Sequence, residues 1–306
     1  MSAPSLPVIR QTAGAGAARA AARRRKPVDG AGPDRRPRWL TYTLLGLFIA
    51  GSAYPLYFAF LLASSTSAEI AQNPVPSFIP GGEFISNIKR VFEADIDIWQ
   101  AMLNSIIVST ATGVSVVMFA TLAGYSFAKL RFRGRRALLL FVIGTMAVPT
   151  QLGIVPLFIV MRELDLVGSL WAVILPGMVT AFGVFWMTQY LEAALPYELI
   201  EAARVDGASM FRTFWSVALP AARPAAAMLF LFTFIASWTN FFWPSIVLGT
   251  TNPTLPVALQ LLQAGFFKDI ALIMAGVVVS VVPLLLLFVA AGRQLVAGIM
   301  QGAVKG

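Results

Sequence analysis

Residues 201–220 read EAARVDGASMFRTFWSVALP. They carry four charged side chains among 20 residues and lie between two apolar segments, 168–191 and 225–249, that carry none. An ionised side chain inside the hydrocarbon of a bilayer costs about 3 kcal/mol or more. The pattern therefore predicts a polar connection that lies outside a membrane and joins two membrane spans.

The local pattern of this connection predicts two short helices with a hinge between them. Pro196 suits the first position of a helix, where its missing N–H is no loss. Asp206 and Gly207 form a helix-breaking pair, because glycine readily adopts the left-handed conformation that ends a helix. A second helix is expected over about 209–218, with Pro220 ending it. Together the two helices would present an exposed polar and apolar face, on which another protein can dock.

The composition indicates an integral membrane protein. Of 306 residues, 58% are hydrophobic and 12% are charged, with a mean hydropathy of +0.77, whereas soluble domains carry about 25% charged residues. The sequence has no cysteine and no histidine, which excludes disulfides, thiolate or imidazole metal sites and histidine general bases. We therefore assign no catalytic residue and no metal site. The sequence also lacks a G-x-x-x-x-G-K-[ST] loop, so if ATP drives this protein, another subunit binds it.

The predicted fold class is an all-α integral membrane protein with six transmembrane helices and a cytoplasmic two-helix coupling loop. Six uncharged runs are long enough to cross about 30 Å of hydrocarbon, which takes about 20 helical residues. They lie near 40–63, 101–127, 137–160, 168–191, 225–249 and 271–292. The six-span domain is 39–292, with an extracytoplasmic loop at 64–100 and the coupling loop at 192–223.

Charge predicts the orientation of the spans. Nineteen lysines and arginines fall in the tail 1–38, the loop 129–136, the coupling loop and the C-terminal tail 293–306, and four fall in the opposite loops. Basic residues accumulate on the cytoplasmic side of membrane proteins, so both termini and the coupling loop are expected there. The basic tail 1–38 is expected to be disordered. Beside a membrane span its run at 23–26 favours a topology anchor, and no nucleic-acid partner is assigned.

The opposite side of the membrane carries a long acidic loop, residues 64–100, in which a short interfacial helix is expected around 85–92. This loop either contacts an extracytoplasmic binding protein or is a plain spacer.

The predicted spans contain no Asp, Glu, Lys or Arg. Ion-coupled transporters usually need such a residue inside the membrane, so the sequence argues against a secondary transporter. Neutral amides and hydroxyls beside aromatic rings suit a polyhydroxylated neutral solute, although aromatic residues also mark membrane interfaces. The residues assigned to a substrate path on this ground are Asn104, Gln151, Trp238, Thr239, Asn240 and Phe241.

Three motifs resemble one known family. The run Glu201-Ala202-Ala203, three residues, Gly207, nine residues and Val217-Ala218-Leu219-Pro220 resembles the EAA loop in the membrane subunits of ATP-binding-cassette importers, with Val where that pattern has Ile. The ending Gly302-Ala303-Val304-Lys305-Gly306 and the run Val148-Pro149-Thr150-Gln151 are similar to the second membrane subunit of maltose-type carbohydrate importers. The resemblance covers about residues 40–306.

This resemblance implies the permease subunit of a carbohydrate importer, a transport subunit and not an enzyme. It implies as partners a second, related permease, a dimer of ATP-binding subunits that hold ATP and Mg, an extracytoplasmic solute-binding protein and membrane lipid, with no cofactor bound by this chain. The residues it assigns to coupling with the ATPase are Glu201, Ala202, Ala203, Asp206, Gly207, Phe211, Phe214, Leu219 and Pro220. It assigns the tail residues Gly302, Ala303, Val304, Lys305 and Gly306 to the ATPase interface.

Two alternatives stay open at this point. The same architecture can import glycerol 3-phosphate, a glycerophosphodiester or a polyamine, although a phosphate-bearing solute would be helped by a basic residue in the path. The other alternative is a stand-alone secondary carrier or channel, in which an ATPase-docking loop would have no use.

Overall fold

The computed structural model describes residues 39–73, 75, 77–263 and 269–303, the last eleven of them as backbone only. The predicted tail 1–38 lies outside the described residues. Within them every regular element is a helix: α1 Trp39–Ala63, α2 Ser67–Gln72, α3 Phe84–Phe92, α4 Ile98–Lys129, α5 Arg135–Thr145, α6 Ile154–Glu163, α7 Trp171–Gly177, α8 Ala181–Ala194, α9 Tyr197–Val205, α10 Met210–Thr213, α11 Leu219–Trp238, α12 Phe242–Val247, α13 Leu255–Leu261 and α14 Ile270–Ala303. A 3₁₀ turn, Thr150–Gly153, precedes α6, and a π turn, Phe214–Ala218, joins α10 to α11.

The chain divides into two units, 1–53 and 54–306, and the packing given below is that of the second.

Four continuous helical segments of the described chain are long and apolar enough to cross a membrane, and two bent pairs raise the number to six if each pair is one span. The four are Trp39–Ala63, Ile98–Lys129, Met210–Trp238 and Ile270–Gly292. The predicted helical membrane fold is confirmed, and the count of six spans stays a prediction that depends on the bent pairs.

The bent pairs break where the sequence places proline. α5 and the segment Thr150–Glu163 meet at 87°, directly after Pro149. α7 contains Pro176, and α8 then starts afresh at a bend of 42°. The Thr180 hydroxyl caps α8 by accepting a hydrogen bond of 3.1 Å from the Gly183 N–H. A new N-cap satisfies the free N–H groups that a break in a helix creates.

The fifth predicted span, 225–249, is wrong in its bounds, and so is the expectation that Pro220 ends the second helix. The helical segment runs through Pro220 to Trp238, and the chain breaks before α12. In the π turn the Leu219 N–H bonds the Phe214 carbonyl, five residues back. A proline ring clashes with the carbonyl four residues before it, here that of Ser216, and a widened turn that contains this carbonyl leaves room for the ring.

Helix α4 lies at the centre of the packing, against α8 on one side and α11 on another. A buried cluster that includes Val116, Ala120, Met187 and Leu229 fills the space between the three helices. The approach of α4 and α8 is so close that a Cβ on Gly124 would lie 2.8 Å from the Met187 backbone. Small residues at helix contacts allow such close packing in membranes.

The predicted interfacial helix at 85–92 is confirmed as a helix, α3, and a polar cluster joins it to the start of α14. The Asp269 carboxylate accepts hydrogen bonds from the Ser67 hydroxyl at 2.6 Å, from the Leu272 N–H at 3.0 Å and from the Arg90 guanidinium, with which it also forms an ion pair. Burial raises the pKa of the Asp269 carboxyl, but these hydrogen bonds and the Arg90 charge outweigh burial and hold that pKa below its ordinary value.

We expect Asp269→Asn to lower the free energy of unfolding by about 1–2 kcal/mol, because it keeps the cap of α14 but removes the charge that Arg90 pairs with. The lowered pKa means that the contribution of Asp269 is complete above the ordinary carboxyl pKa of about 4 and is lost as the pH falls through the folded value. Melting temperatures of the purified protein and variant, measured from neutral to acid pH, should therefore converge at low pH.

The matched control is Glu163→Gln, which breaks the exposed ion pair between Arg162 and Glu163. Exposed pairs contribute about 0–1 kcal/mol, so its melting temperature should stay close to that of the wild type. Equal losses in the two variants, or a loss in Asp269→Asn that does not depend on pH, would contradict the role of the Asp269 cluster.

Candidate functional site

The predicted coupling loop folds as a two-helix knob, which we define as residues 197–218: α9, α10 and the π turn. Pro196 stands at the N-cap of α9, Glu198 lies in the first turn and Arg204 lies in the last turn. These charges complement the helix dipole, which is positive at the N-terminus and negative at the C-terminus. The local sequence thus favours a short helix over the EAA residues.

The predicted hinge is confirmed in its geometry. Asp206 caps α9, and Gly207 has a φ of +75°. The Gly207 N–H bonds the Arg204 carbonyl at 3.0 Å, and the Ala208 N–H bonds the Ala203 carbonyl at 2.9 Å. This pair of bonds is the Schellman motif, which satisfies the last carbonyls of a helix and requires a left-handed residue at this position. The Ser209 hydroxyl then caps α10 by accepting a hydrogen bond from the Arg212 N–H at 3.2 Å.

The inner face of the knob is part of the core of the membrane helices. Ile200 and Phe214 are buried in the same cluster as Tyr125 and Ala128 from the end of α4 and Leu191 from α8. The rings of Phe214 and Tyr125 lie 5.9 Å apart between centroids. The buried cluster is therefore continuous from the knob to α4, α8 and α11.

The outer face of the knob combines exposed charged and apolar side chains. Glu201 and Asp206 are exposed, as are Val205 at 88% and Phe211 at 65% of their surface. Large apolar side chains exposed beside carboxylates are typical of a protein-binding surface. Met210, an apolar residue of the expected second helix, is also exposed. Val205 was not predicted from the sequence as part of this face. Its signal was available, since it is an apolar residue in a segment expected to lie outside the membrane.

The coupling assignments are therefore divided between the two faces of the knob. Glu201, Ala202, Asp206, Gly207 and Phe211 are exposed, whereas Ala203 is half-buried. Leu219 and Pro220 are also half-buried and begin α11. The expectation that Phe214 packs in a partner's cleft is at odds with this structure, in which Phe214 is 2% exposed and fills the core.

The residues assigned to a substrate path do not share one environment. Asn104 is buried, and its side-chain amide donates to the Asn252 side chain at 2.7 Å and to the Pro253 carbonyl at 2.9 Å. Trp238 is buried, stacks on Phe234 at 5.7 Å and donates its indole N–H to the Ser280 carbonyl at 3.2 Å. These contacts give Asn104 and Trp238 a packing role.

The remaining path residues lie at helix breaks, and their role in a path stays a prediction. Thr239, Asn240 and Phe241 are consecutive between α11 and α12, with Thr239 exposed and the other two half-buried. Gln151 is exposed in the 3₁₀ turn at the 87° bend.

The predicted contact of the C-terminal tail also stays a prediction. The backbone of Gly302 and Ala303 ends α14, so that helix continues through most of the expected tail 293–306. Residues Val304, Lys305 and Gly306 lie outside the described residues.

Comparison with known proteins gives a family match over a region that contains the knob. The model of the family described as "binding-protein-dependent transport system inner membrane component" matches residues 117–297, which include the whole knob. The arabinooligosaccharides transport system permease protein AraQ of Halalkalibacterium halodurans is 33% identical over 271 residues, which cover 88% of this chain and 96% of that protein. The lactose transport system permease protein LacG of Rhizobium radiobacter is 29% identical over 272 residues, covering 89% and 97%.

Two further similarities bear on solute and fold. The sn-glycerol-3-phosphate transport system permease protein UgpE of Salmonella typhi is 29% identical over 275 residues, covering 85% of this chain and 95% of that protein. In a crystal structure of a bacterial ABC transporter involved in the import of the acidic polysaccharide alginate, one chain superposes with a TM-score of 0.70 at 25% identity. The match covers 83% of this chain and 94% of that one.

The two phenylalanines of the knob should respond differently to truncation. Phe214→Ala removes a buried ring and should lower the free energy of unfolding by about 3–5 kcal/mol, whereas Phe211→Ala removes an exposed ring and should change it by less than about 0.5 kcal/mol. Thermal unfolding of both purified variants measures the difference. Equal stability of the two would contradict the continuity of the knob with the core.

Proposed function

Since the chain belongs to the family of binding-protein-dependent transport system inner membrane components, we propose that it is the permease subunit of an ATP-driven importer of a sugar or oligosaccharide. The observation that carries this proposal is the knob, whose outer face is exposed and whose inner face is part of the core of α4, α8 and α11. Such a unit can receive a force from a partner and pass it to the membrane helices.

The proposal includes the partners that such an importer needs. They are a second, related permease, a dimer of ATP-binding subunits that bind ATP and Mg and hydrolyse the ATP, and an extracytoplasmic solute-binding protein. The charge asymmetry of the loops supports a cytoplasmic position for both termini and for the knob. That is the side on which an ATP-binding subunit meets ATP.

The proposed mechanism is alternating access. Closure of the ATP-binding dimer pushes on the outer face of the knob, where the Glu201 carboxylate pairs with a basic group of the partner. The push passes through Ile200 and Phe214 to Tyr125 and Leu191, which belong to the same buried cluster. The helices then rock between inward-open and outward-open states, and this chain performs no covalent chemistry.

A neutral sugar is favoured as the solute over glycerol 3-phosphate. AraQ and LacG are named for an oligosaccharide and a disaccharide, and UgpE is named for a phosphate ester. The six predicted spans contain no Lys or Arg, and in the helical segment Met210–Trp238, which replaces the fifth, Arg212 and Arg223 both precede residue 225. An anion crossing the apolar stretches would lack a positive partner there, where an unpaired charge is costly. A neutral polyol needs only amides and hydroxyls.

The test is uptake into proteoliposomes that hold the complete importer with its binding protein. We expect arabino-oligosaccharides or lactose to accumulate when ATP is enclosed with the ATP-binding subunits, and uptake to persist when ionophores collapse the proton and sodium gradients. Uptake abolished by an ionophore at constant ATP would support a secondary carrier. Uptake of glycerol 3-phosphate or a polyamine in place of sugar would overturn the solute class.

Two substitutions in the same assay test the role of the knob. Glu201→Ala removes a carboxylate from an interface pair, which can cost about 2–5 kcal/mol, and should weaken retention of the ATP-binding subunits. Gly207→Val forces a β-branched residue into positive φ and should lower the amount of solute moved per ATP.

The control is Gly153→Val. At both glycines an added Cβ would meet no heavy atom within 4 Å, but Gly153 has a φ of −89°, a negative value that a residue with a side chain can adopt. The Gly153→Val variant should therefore transport like the wild type. If Glu201→Ala and Gly207→Val also assemble and transport like the wild type, the knob is not the coupling element.

A further inference from the structure

Lys129, the last residue of α4, is buried although it carries a charge. It is 5% exposed, and no other charged side chain in the described part of the chain falls in the buried class. Between its ammonium and the described carboxylates no ion pair forms within 4.0 Å. Burying a cation without a carboxylate is costly unless other groups stabilise it, so the contacts of this side chain need a physical explanation.

Three helices meet at the Lys129 ammonium. Its Nζ donates a hydrogen bond of 3.1 Å to the backbone carbonyl of Glu192, which lies in the last turn of α8. The same Nζ lies 4.9 Å from the centroid of the Tyr197 ring, and Tyr197 is the first residue of α9. The Tyr197 hydroxyl reaches back and donates to the Ala128 carbonyl of α4 at 3.5 Å.

Electrostatics offsets part of the cost of burying a cation at this point. The C-terminal end of a helix carries about half a negative charge, and the C-terminal ends of α4 and α8 converge on Nζ. The negative face of the Tyr197 ring supplies a third favourable contact. The charges that act on Lys129 through space are those of Glu192, Glu198 and Arg135, two of them favourable.

We propose that Lys129 and Tyr197 form a joint that holds the knob at a fixed angle to α4 and α8, with Lys129 as a positioning residue for coupling. The inference rests on the proposed function, because the angle of the knob matters for transport only if the knob receives the movement of an ATPase. Ile200 of α9 packs in the apolar cluster. Apolar contacts are non-directional, so they allow the helix to tilt about Pro196. The contact of the Tyr197 ring with Lys129 opposes tilting, because the hydrogen bond to the Glu192 carbonyl of α8 holds the cation in place.

The joint is tested in the complete importer by four substitutions. Lys129→Met keeps an unbranched side chain, one atom shorter, and removes the charge, and Tyr197→Leu removes the ring. Each should leave ATP hydrolysis active and lower the solute moved per ATP about fivefold. Lys129→Arg keeps the cation and Tyr197→Phe keeps the ring, so the solute moved per ATP should stay near the wild-type value in each.

Two comparisons separate a joint from general loss of structure. In the double variant Lys129→Met with Tyr197→Leu, the loss should not exceed that of Lys129→Met alone, because that substitution already removes the contact with the ring. Arg133→Met, which removes an exposed cation from the turn between α4 and α5, should leave the solute moved per ATP unchanged. Losses that multiply in the double variant, or a Lys129→Arg variant as defective as Lys129→Met, would overturn the joint.

A distance measurement gives a readout that does not depend on transport. The chain has no cysteine, so spin labels can be attached only at Leu122→Cys on α4 and Val205→Cys on the knob, both of them exposed sites. In the assembled importer the distribution of distances should be narrow with Lys129 or Lys129→Arg and broad with Lys129→Met.

The outcomes distinguish this inference from the proposed function. A wild-type complex that moves no sugar refutes the proposed function. The distances between the spin labels still test the joint in that case. A distribution in Lys129→Met as narrow as that of the wild type refutes the joint, whatever the complex transports.

Discussion

The packing of the Phe214 ring against Tyr125, 5.9 Å away, is the contact on which the structure around the knob depends. It joins the knob, whose second half begins the helical segment Met210–Trp238, to the end of the central helix α4. Without it, the knob would contact the membrane helices mainly through Ile200 and through the contacts of Tyr197 with Lys129 and Ala128. With it, α4, α8, α11 and the knob share one buried cluster, and tightly packed interiors transmit displacement rather than absorb it.

Composition and local rules were enough to predict the helical membrane class and the hinge of the knob, because both follow from short-range physics. Gly207 has positive φ where the breaker pair required it. The prolines inside the predicted spans 137–160 and 168–191 indicate kinked helices, but the size of each bend does not follow from local rules, since both sides of each bend are equally apolar. Pro149 and Pro176 mark the breaks, but the angles of 87° and 42° are set by packing between helices. The same applies to Pro220, which the π turn accommodates.

The knob was predicted from the sequence in outline. The errors concern which of its side chains are buried, because tertiary packing determines that. Phe211 and Phe214 were placed together on a docking face, as their spacing suggests. Residues three apart lie about 60° apart around a helix, so the boundary between core and solvent can pass between them. Here Phe214 packs against Tyr125 in the core, and Phe211 stays exposed. Lys129 was counted only as a charge that fixes topology. Its burial between two helix ends and the Tyr197 ring depends on residues more than 60 positions away, which local patterns do not connect.

The central claim is that the exposed face of the knob docks on an ATP-binding subunit at the cytoplasmic side. Cysteine crosslinking tests it most directly, because the chain contains no cysteine of its own. A photo-crosslinker attached at Phe211→Cys, in membranes that contain the co-expressed importer subunits, should form an adduct with the ATP-binding subunit. The same crosslinker at Ile79→Cys, an exposed site in the predicted outer loop, should not. An adduct from position 79 and none from position 211 would contradict the claim.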